Sequence, residues 1–182
     1  IKRPTNSKSD RYDNPFDGCL RRSALLCVAS SGRRMKRMST HPFHVMTKPI
    51  GPRCNINCSY CYYLEKDRLY PDEKRFRMSD AVLERYIRDY IASQTATGLR
   101  NVLFAWQGGE PTMLGIAFFE KAVALQRKNC PKGVTIENAF QTNGMLLDDD
   151  WGAFLARERF LVGISIDGPA RIHNTYRRDR AG

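Results

Sequence analysis

With 182 residues, 42% of them hydrophobic and 27% charged, the chain is long enough for one domain with a real core, and no apolar run in it approaches the length of a membrane span. Its formal net charge of +11 is unevenly placed: residues 1–40 carry 10 Lys or Arg against 3 Asp, a net of +7, and the remainder holds the other +4. A basic tail can bind nucleic acid, but this one has no helix-turn-helix or zinc-finger pattern, and its Ser, Arg, Asn and Gly content reads instead as a solvated, poorly ordered leader over residues 1–43.

Residues 20–30 (LRRSALLCVAS) put two arginines before an apolar run, as signal peptides do. That run is too short and too deep in the chain for one, which leaves the reducing cytoplasm as the expected location. The chain opens on Ile1 rather than Met and stops at Gly182 in a basic loop, as expected of a piece of a longer protein. Residues 44–49 alternate apolar and polar up to Pro49 and Gly51 and predict a first strand.

That strand feeds residues 54–63 (CNINCSYCYY), where Cys54, Cys58 and Cys61 are spaced C-x3-C-x2-C. A structural zinc site wants four closed ligands and a second cysteine pair, which is absent, and an odd-numbered cluster does not make a disulfide framework. Three thiolates on a short loop can converge on a [4Fe–4S] cluster, but cannot saturate four irons, so one iron stays open for a small molecule. Cys19, Cys27 and Cys130 match no ligand spacing.

Downstream, Ser79 is placed to cap a helix whose apolar positions recur at three and four residues (Val82, Leu83, Tyr86, Ile87, Tyr90, Ile91), ended by Gly98. Residues 101–106 (NVLFAW) form a buried-type strand before Gly108-Gly109-Glu110-Pro111. A helix over about 116–128 follows, then a strand over 134–140 before Gln141-Thr142-Asn143-Gly144. Asp148 is placed to cap a third helix, and residues 161–166 (LVGISI) make a fourth strand ending at Asp167-Gly168-Pro169. Strand and helix alternate, so an α/β fold with a parallel sheet is expected, with every unusual motif on the C-terminal rim of that sheet. Pattern alone leaves a barrel and a flavodoxin-like doubly wound sheet both open.

In that order, the C-x3-C-x-Y-C loop with its aromatic pair, Gly-Gly-Glu-Pro, Gln-Thr-Asn-Gly and Ser-Ile-Asp-Gly-Pro resemble the radical S-adenosylmethionine enzymes. Within them the chain is most similar to the anaerobic sulfatase-maturating enzymes of the SPASM type, over about positions 44–182. The resemblance implies a partial (β/α)6 TIM-like barrel, here running only to its fourth strand. It implies a [4Fe–4S] cluster on Cys54, Cys58 and Cys61, and S-adenosylmethionine held by Tyr60, Gly109, Glu110, Asn143, Ser165 and Arg177.

Gln107, Gln141 and Tyr63 are expected to face the substrate, a cysteine or serine of a sulfatase polypeptide that a 5′-deoxyadenosyl radical oxidises to Cα-formylglycine. A reductant such as flavodoxin or ferredoxin is implied, and no membrane partner. The general base and further clusters would lie in a part of the barrel and a C-terminal domain outside this sequence, so these residues alone are expected to be inactive. Another peptide-modifying or cofactor-building radical enzyme, or a plain iron–sulfur protein, is the alternative. His173 is expected to be a hydrogen-bonded structural residue.

Overall fold

The computed structural model describes residues 41–180. The expected leader therefore lies outside the described residues except for residues 41–43, as do Cys19 and Cys27. Phe43 already belongs to the fold: its N–H donates to Gln94 Oε1 (3.4 Å) and its ring meets Tyr90 edge-on at 5.8 Å.

The elements run β1 (Met46–Thr47), α1 (Asp80–Ala96), β2 (Asn101–Trp106), α2 (Ile116–Asn129), β3 (Thr135–Thr142), α3 (Asp149–Arg157), β4 (Leu161–Ile164) and α4 (Ala170–Tyr176), with short 3-10 turns at Leu64–Leu69 and Pro111–Leu114. The helices start where the sequence caps them. Ser79 accepts the N–H of Val82 at the start of α1, and Asp148 accepts that of Trp151 at the start of α3, each satisfying a donor that a helix end would orphan. Gly98, at φ +89°, lets the chain turn after α1 where an L side chain would be strained.

All four strands are parallel and lie in sequence order, β1-β2-β3-β4, in register through Met46–Ala105–Ala139–Leu161. Alternation along β2 and β3 then sorts the side chains. Val102, Phe104, Trp106, Asn138, Phe140 and Thr142 are buried, the first three and Phe140 in one core with α1, α2 and α3; the other parity is less covered.

That core is an aromatic chain. Tyr86 and Tyr90 lead to Phe104 and Trp106, then to Phe118, Phe119, Phe140, Trp151, Phe154 and Phe160, with successive centroids 5.0–6.4 Å apart and mostly edge-on. Within it lies a reciprocal amide pair, Gln126 with Asn138, at 2.9 Å in both directions; Asn138 Oδ1 also accepts the Trp106 indole N–H at 2.8 Å. These two amides are therefore bonded rather than stranded, whereas the buried Gln94 Nε2 has no partner among the described residues.

Candidate metal centre

The loop after β1 carries the three thiols, and both of its ends are tied down. At its start, Gly109 N–H donates to Gly51 O and Glu110 N–H to Arg53 O, both at 2.8 Å. A Cβ on Gly109 would lie 1.8 Å from Arg53 O, so a glycine is the residue that lets the β2 turn press on the cysteine loop. In the middle, Asn57 N–H donates to Arg178 O (2.7 Å) and Ser59 N–H to Tyr176 O (2.9 Å), while Ile56, buried, bridges antiparallel to Asp179.

Cys54 and Cys58 sit among these ties and Cys61 just beyond them, all free and half-buried, with Cys61 N–H closing a tight turn onto Cys58 O at 3.0 Å. Burial pushes the Cys54 and Cys58 thiols up; the charges of Glu110 and Cys61 add to the rise at Cys54, and those of Cys54, Cys61 and Asp167 at Cys58, where the Arg177 guanidinium pulls the other way. Among the described residues no three His, Cys, Asp or Glu side chains are grouped to hold a single metal ion.

Glu110 was expected against the cofactor, and the structure places its side chain beneath the rim. It is 1% exposed; Oε1 accepts the Thr112 N–H (3.0 Å), the Thr112 hydroxyl (2.6 Å) and the Thr142 hydroxyl (2.7 Å), and Oε2 accepts the N–H of Asn143 (2.8 Å). Such a buried carboxylate is tolerated because its lone pairs are met. Asn143 itself reaches the cysteine loop. Its amide NH₂ donates to Asn55 Oδ1 (2.8 Å) and to Cys54 Sγ (3.7 Å), and its Oδ1 accepts the Met145 N–H at 2.9 Å.

A second group joins Tyr60 to the residues after β4. Asp167 takes a two-pronged bond from Arg177, 2.9 Å on each oxygen, and the Tyr60 hydroxyl at 2.6 Å; the guanidinium lies 5.6 Å from the centre of the Tyr60 ring. Arg177 holds the Asp167 carboxyl below its usual range, with help from Tyr60, and is itself pushed up by Asp167. Desolvation and the bond to Asp167 together push the Tyr60 phenol up to about 12. Arg177 was expected on the cofactor carboxylate; here its fork is committed to Asp167. Asp167 was missed as a site residue although it stood inside a quoted motif, because nothing local marks which carboxylate a distant tyrosine will find.

The third group faces the concave side of the sheet. Gln141 Nε2 donates to Ser165 Oγ at 2.9 Å and its side chain lies across Gly163, where a Cβ would come within 2.4 Å of Oε1. Gln107 follows Trp106, whose partner is Phe140, so the two glutamines are register neighbours lining one concavity of 270 Å³ with Ala105, Ala139 and Gly163. Tyr63 lies elsewhere on the rim, its ring 4.2 Å below the Lys48 ammonium, which burial pushes down. A larger concavity of 520 Å³ opens beside Asn143 and Arg177 and is lined also by Ile56, Met145, His173 and Arg178. His173 is hydrogen-bonded, accepting the Asp167 N–H at Nδ1 (3.4 Å).

The donor set fits an iron–sulfur cluster: three sulfurs on one loop, mutually felt, with an amide N–H on one and a guanidinium near another. Comparison with known proteins agrees. The serine-type anaerobic sulfatase-maturating enzyme of Bacteroides thetaiotaomicron is 48% identical over 141 residues, which are 78% of this chain and 33% of that one. The cysteine-type enzyme of Clostridium perfringens is 42% identical over 141 residues, 78% of this chain and 37% of its own.

A solved structure of native anSMEcpe with bound AdoMet superposes with a TM-score of 0.64 at 42% identity, covering 74% of this chain and 35% of that one. A second, with AdoMet and a peptide bound, gives 0.65 at 41%, covering 74% and 34%. The chain thus spans about a third of the length of the curated relatives it matches. The model of the Radical SAM superfamily matches residues 49–182, and with four parallel strands carrying the thiol loop on their rim, the chain belongs to that superfamily.

Proposed function

We propose that Cys54, Cys58 and Cys61 hold a [4Fe–4S] cluster that binds S-adenosylmethionine, in an enzyme that oxidises a cysteine or serine of a sulfatase polypeptide to Cα-formylglycine. The observation that carries this is the likeness to sulfatase-maturating enzymes of both types over stretches of the same length, 141 residues. What the two types share is the cofactor half of the machinery, which these residues would supply. Bound together, the cluster and S-adenosylmethionine supply one-electron chemistry able to take a hydrogen atom from an unactivated carbon.

The chain's own residues then bind and shield. Gly109, whose missing side chain lets the turn after β2 seat on Arg53, keeps that turn beside the loop where the cofactor's amino group would bind. Asn143 and Ser165, at the ends of β3 and β4, offer polar atoms to the cofactor. Tyr60, braced by Asp167 and Arg177, gives a fixed ring beside the thiols. Glu110 holds Asn143 in place from below. Gln107 and Gln141 present neutral donors and acceptors that can grip a peptide backbone, and Tyr63 flanks the same rim.

The general base and the route for the second electron belong to the part of such an enzyme that these residues do not include. An electron donor protein of the flavodoxin or ferredoxin kind would reduce the cluster, and thiols that must stay reduced fit the cytoplasm. No described helix is long and apolar enough to cross a membrane.

The test uses the full-length protein, reconstituted anaerobically and given S-adenosylmethionine, a reductant and two sulfatase peptides that differ only in cysteine or serine. Mass spectrometry should find the aldehyde on at least one peptide, with 5′-deoxyadenosine formed alongside. A peptide left intact while 5′-deoxyadenosine accumulates would point to another substrate.

A further inference from the structure

The three thiols do not stand in equivalent surroundings, and the difference is built by a closed circuit of four residues. Glu110 N–H donates to Arg53 O at 2.8 Å, the residue before Cys54. Through its side chain the same Glu110 accepts the Asn143 N–H at 2.8 Å. Asn143 completes the loop, its side-chain NH₂ lying 3.7 Å from Cys54 Sγ. The orientation of this amide follows from its partners: Met145 offers an N–H at 2.9 Å and can meet only the oxygen, so the nitrogen must face the sulfur and Asn55 Oδ1.

We infer that Asn143 is a positioning residue that sets the reduction potential of the bound cluster through an N–H···S bond to Cys54, with Glu110 fixing the distance. A donor aimed at a ligand sulfur draws charge off it and favours the more negative, reduced form of the cluster. Of the three cysteines, Cys54 alone has such a partner from a neighbouring strand among the bonds described. Cys58 instead feels the positive charge of the Arg177 guanidinium. Asn143 therefore acts on the cluster from behind, in addition to any contact with the cofactor, and β2 and β3 are coupled to the redox centre through one buried carboxylate.

This inference rests on the cluster assignment proposed above, and the experiment separates the two. In the full-length protein, the cluster in question is the one whose electron paramagnetic resonance signal changes when S-adenosylmethionine is added. If that signal survives in Cys58→Ala, the cluster assignment itself fails. Given that it is lost there, the midpoint potential of this cluster is measured without S-adenosylmethionine in Asn143→Ala and Asn143→Asp, with Gly152→Ala as a remote control.

The expected result is full iron content with a lower midpoint in Asn143→Ala. A still lower midpoint is expected in Asn143→Asp, which keeps the Met145 bond, loses the donor and adds negative charge. A fully loaded cluster at the parental midpoint in either Asn143 variant would overturn the inference. So would failure of both variants to retain iron while Gly152→Ala loads normally, since Asn143 would then be a structural tie.

Discussion

At Gly109 a single methyl group decides whether the cysteine loop can exist in this form. Alanine there would place Cβ 1.8 Å from the Arg53 oxygen and 2.3 Å from its carbonyl carbon, both backbone atoms that cannot swing away. Gly109→Ala should therefore cut the iron bound on anaerobic reconstitution while leaving the far-ultraviolet circular dichroism near parental. By contrast Gly152→Ala, in the middle of α3 with nothing within 4 Å of its new Cβ, should bind iron normally and gain about 0.5–1 kcal/mol in denaturant titrations. Tyr86 gives a prediction in pH. Desolvation pushes its phenol up to about 12 although the Thr47 hydroxyl, donating at 2.5 Å, opposes the rise. The folded state thus holds this proton more tightly than the unfolded one, so the stability it confers is complete below pH 10 and is lost as pH climbs towards 12. Relative to the parent, Tyr86→Phe should flatten the alkaline fall in unfolding free energy by up to about 3 kcal/mol. The thiol spacing was readable because metal chemistry fixes it locally. The bonds that bury Glu110 were not readable, because only folding brings Thr142 and Asn143 to it.

Helices α1, α2 and α3 were legible to within a residue or two because apolar periodicity marks all three and side-chain caps mark the starts of α1 and α3. Helix α4 and the two 3-10 turns were not, being short, polar and without a buried residue in α4 or the first turn. Strand β1 shrinks from the expected 44–49 to Met46–Thr47, since Pro49 has no N–H to continue a ladder. Strand β3 instead runs past its expected end through Gln141 and Thr142, polar residues that read as loop but find partners in Ser165 and Glu110. Within β3 the element most exposed to a single change is the amide pair at Asn138. Asn138→Leu would keep its branched outline, though larger, but strand the Trp106 N–H and both ends of the Gln126 amide in the core. A loss of about 2–4 kcal/mol is expected in urea unfolding followed by tryptophan fluorescence. A second substitution, Gln126→Leu, should recover part of that loss by removing one of the stranded partners.

Across the described molecule, the sheet is covered on its helical face and open along β4. Leu161, Ile164 and Ile166 are 73%, 50% and 66% exposed there, next to unpaired strand backbone. A polypeptide of these 182 residues should self-associate through that edge. Light scattering should show mass rising with concentration, and Ile164→Lys with Leu161→Lys should return it towards the monomer. The parallel α/β architecture could be read from alternating periods, yet barrel and open sheet could not be told apart, because closure depends on strands not present. Nor could the Tyr60–Asp167 bond, whose partners stand 107 residues apart, be seen in any window of sequence. That separation is also an interval of time. At about 5–20 residues per second, a ribosome needs roughly 5–20 s after making Tyr60 to reach Asp167. For that long the three cysteines exist on a nascent chain without the segment that straps their loop. Iron delivered during synthesis would meet open thiols, whereas iron delivered afterwards must enter beneath a strap already tied.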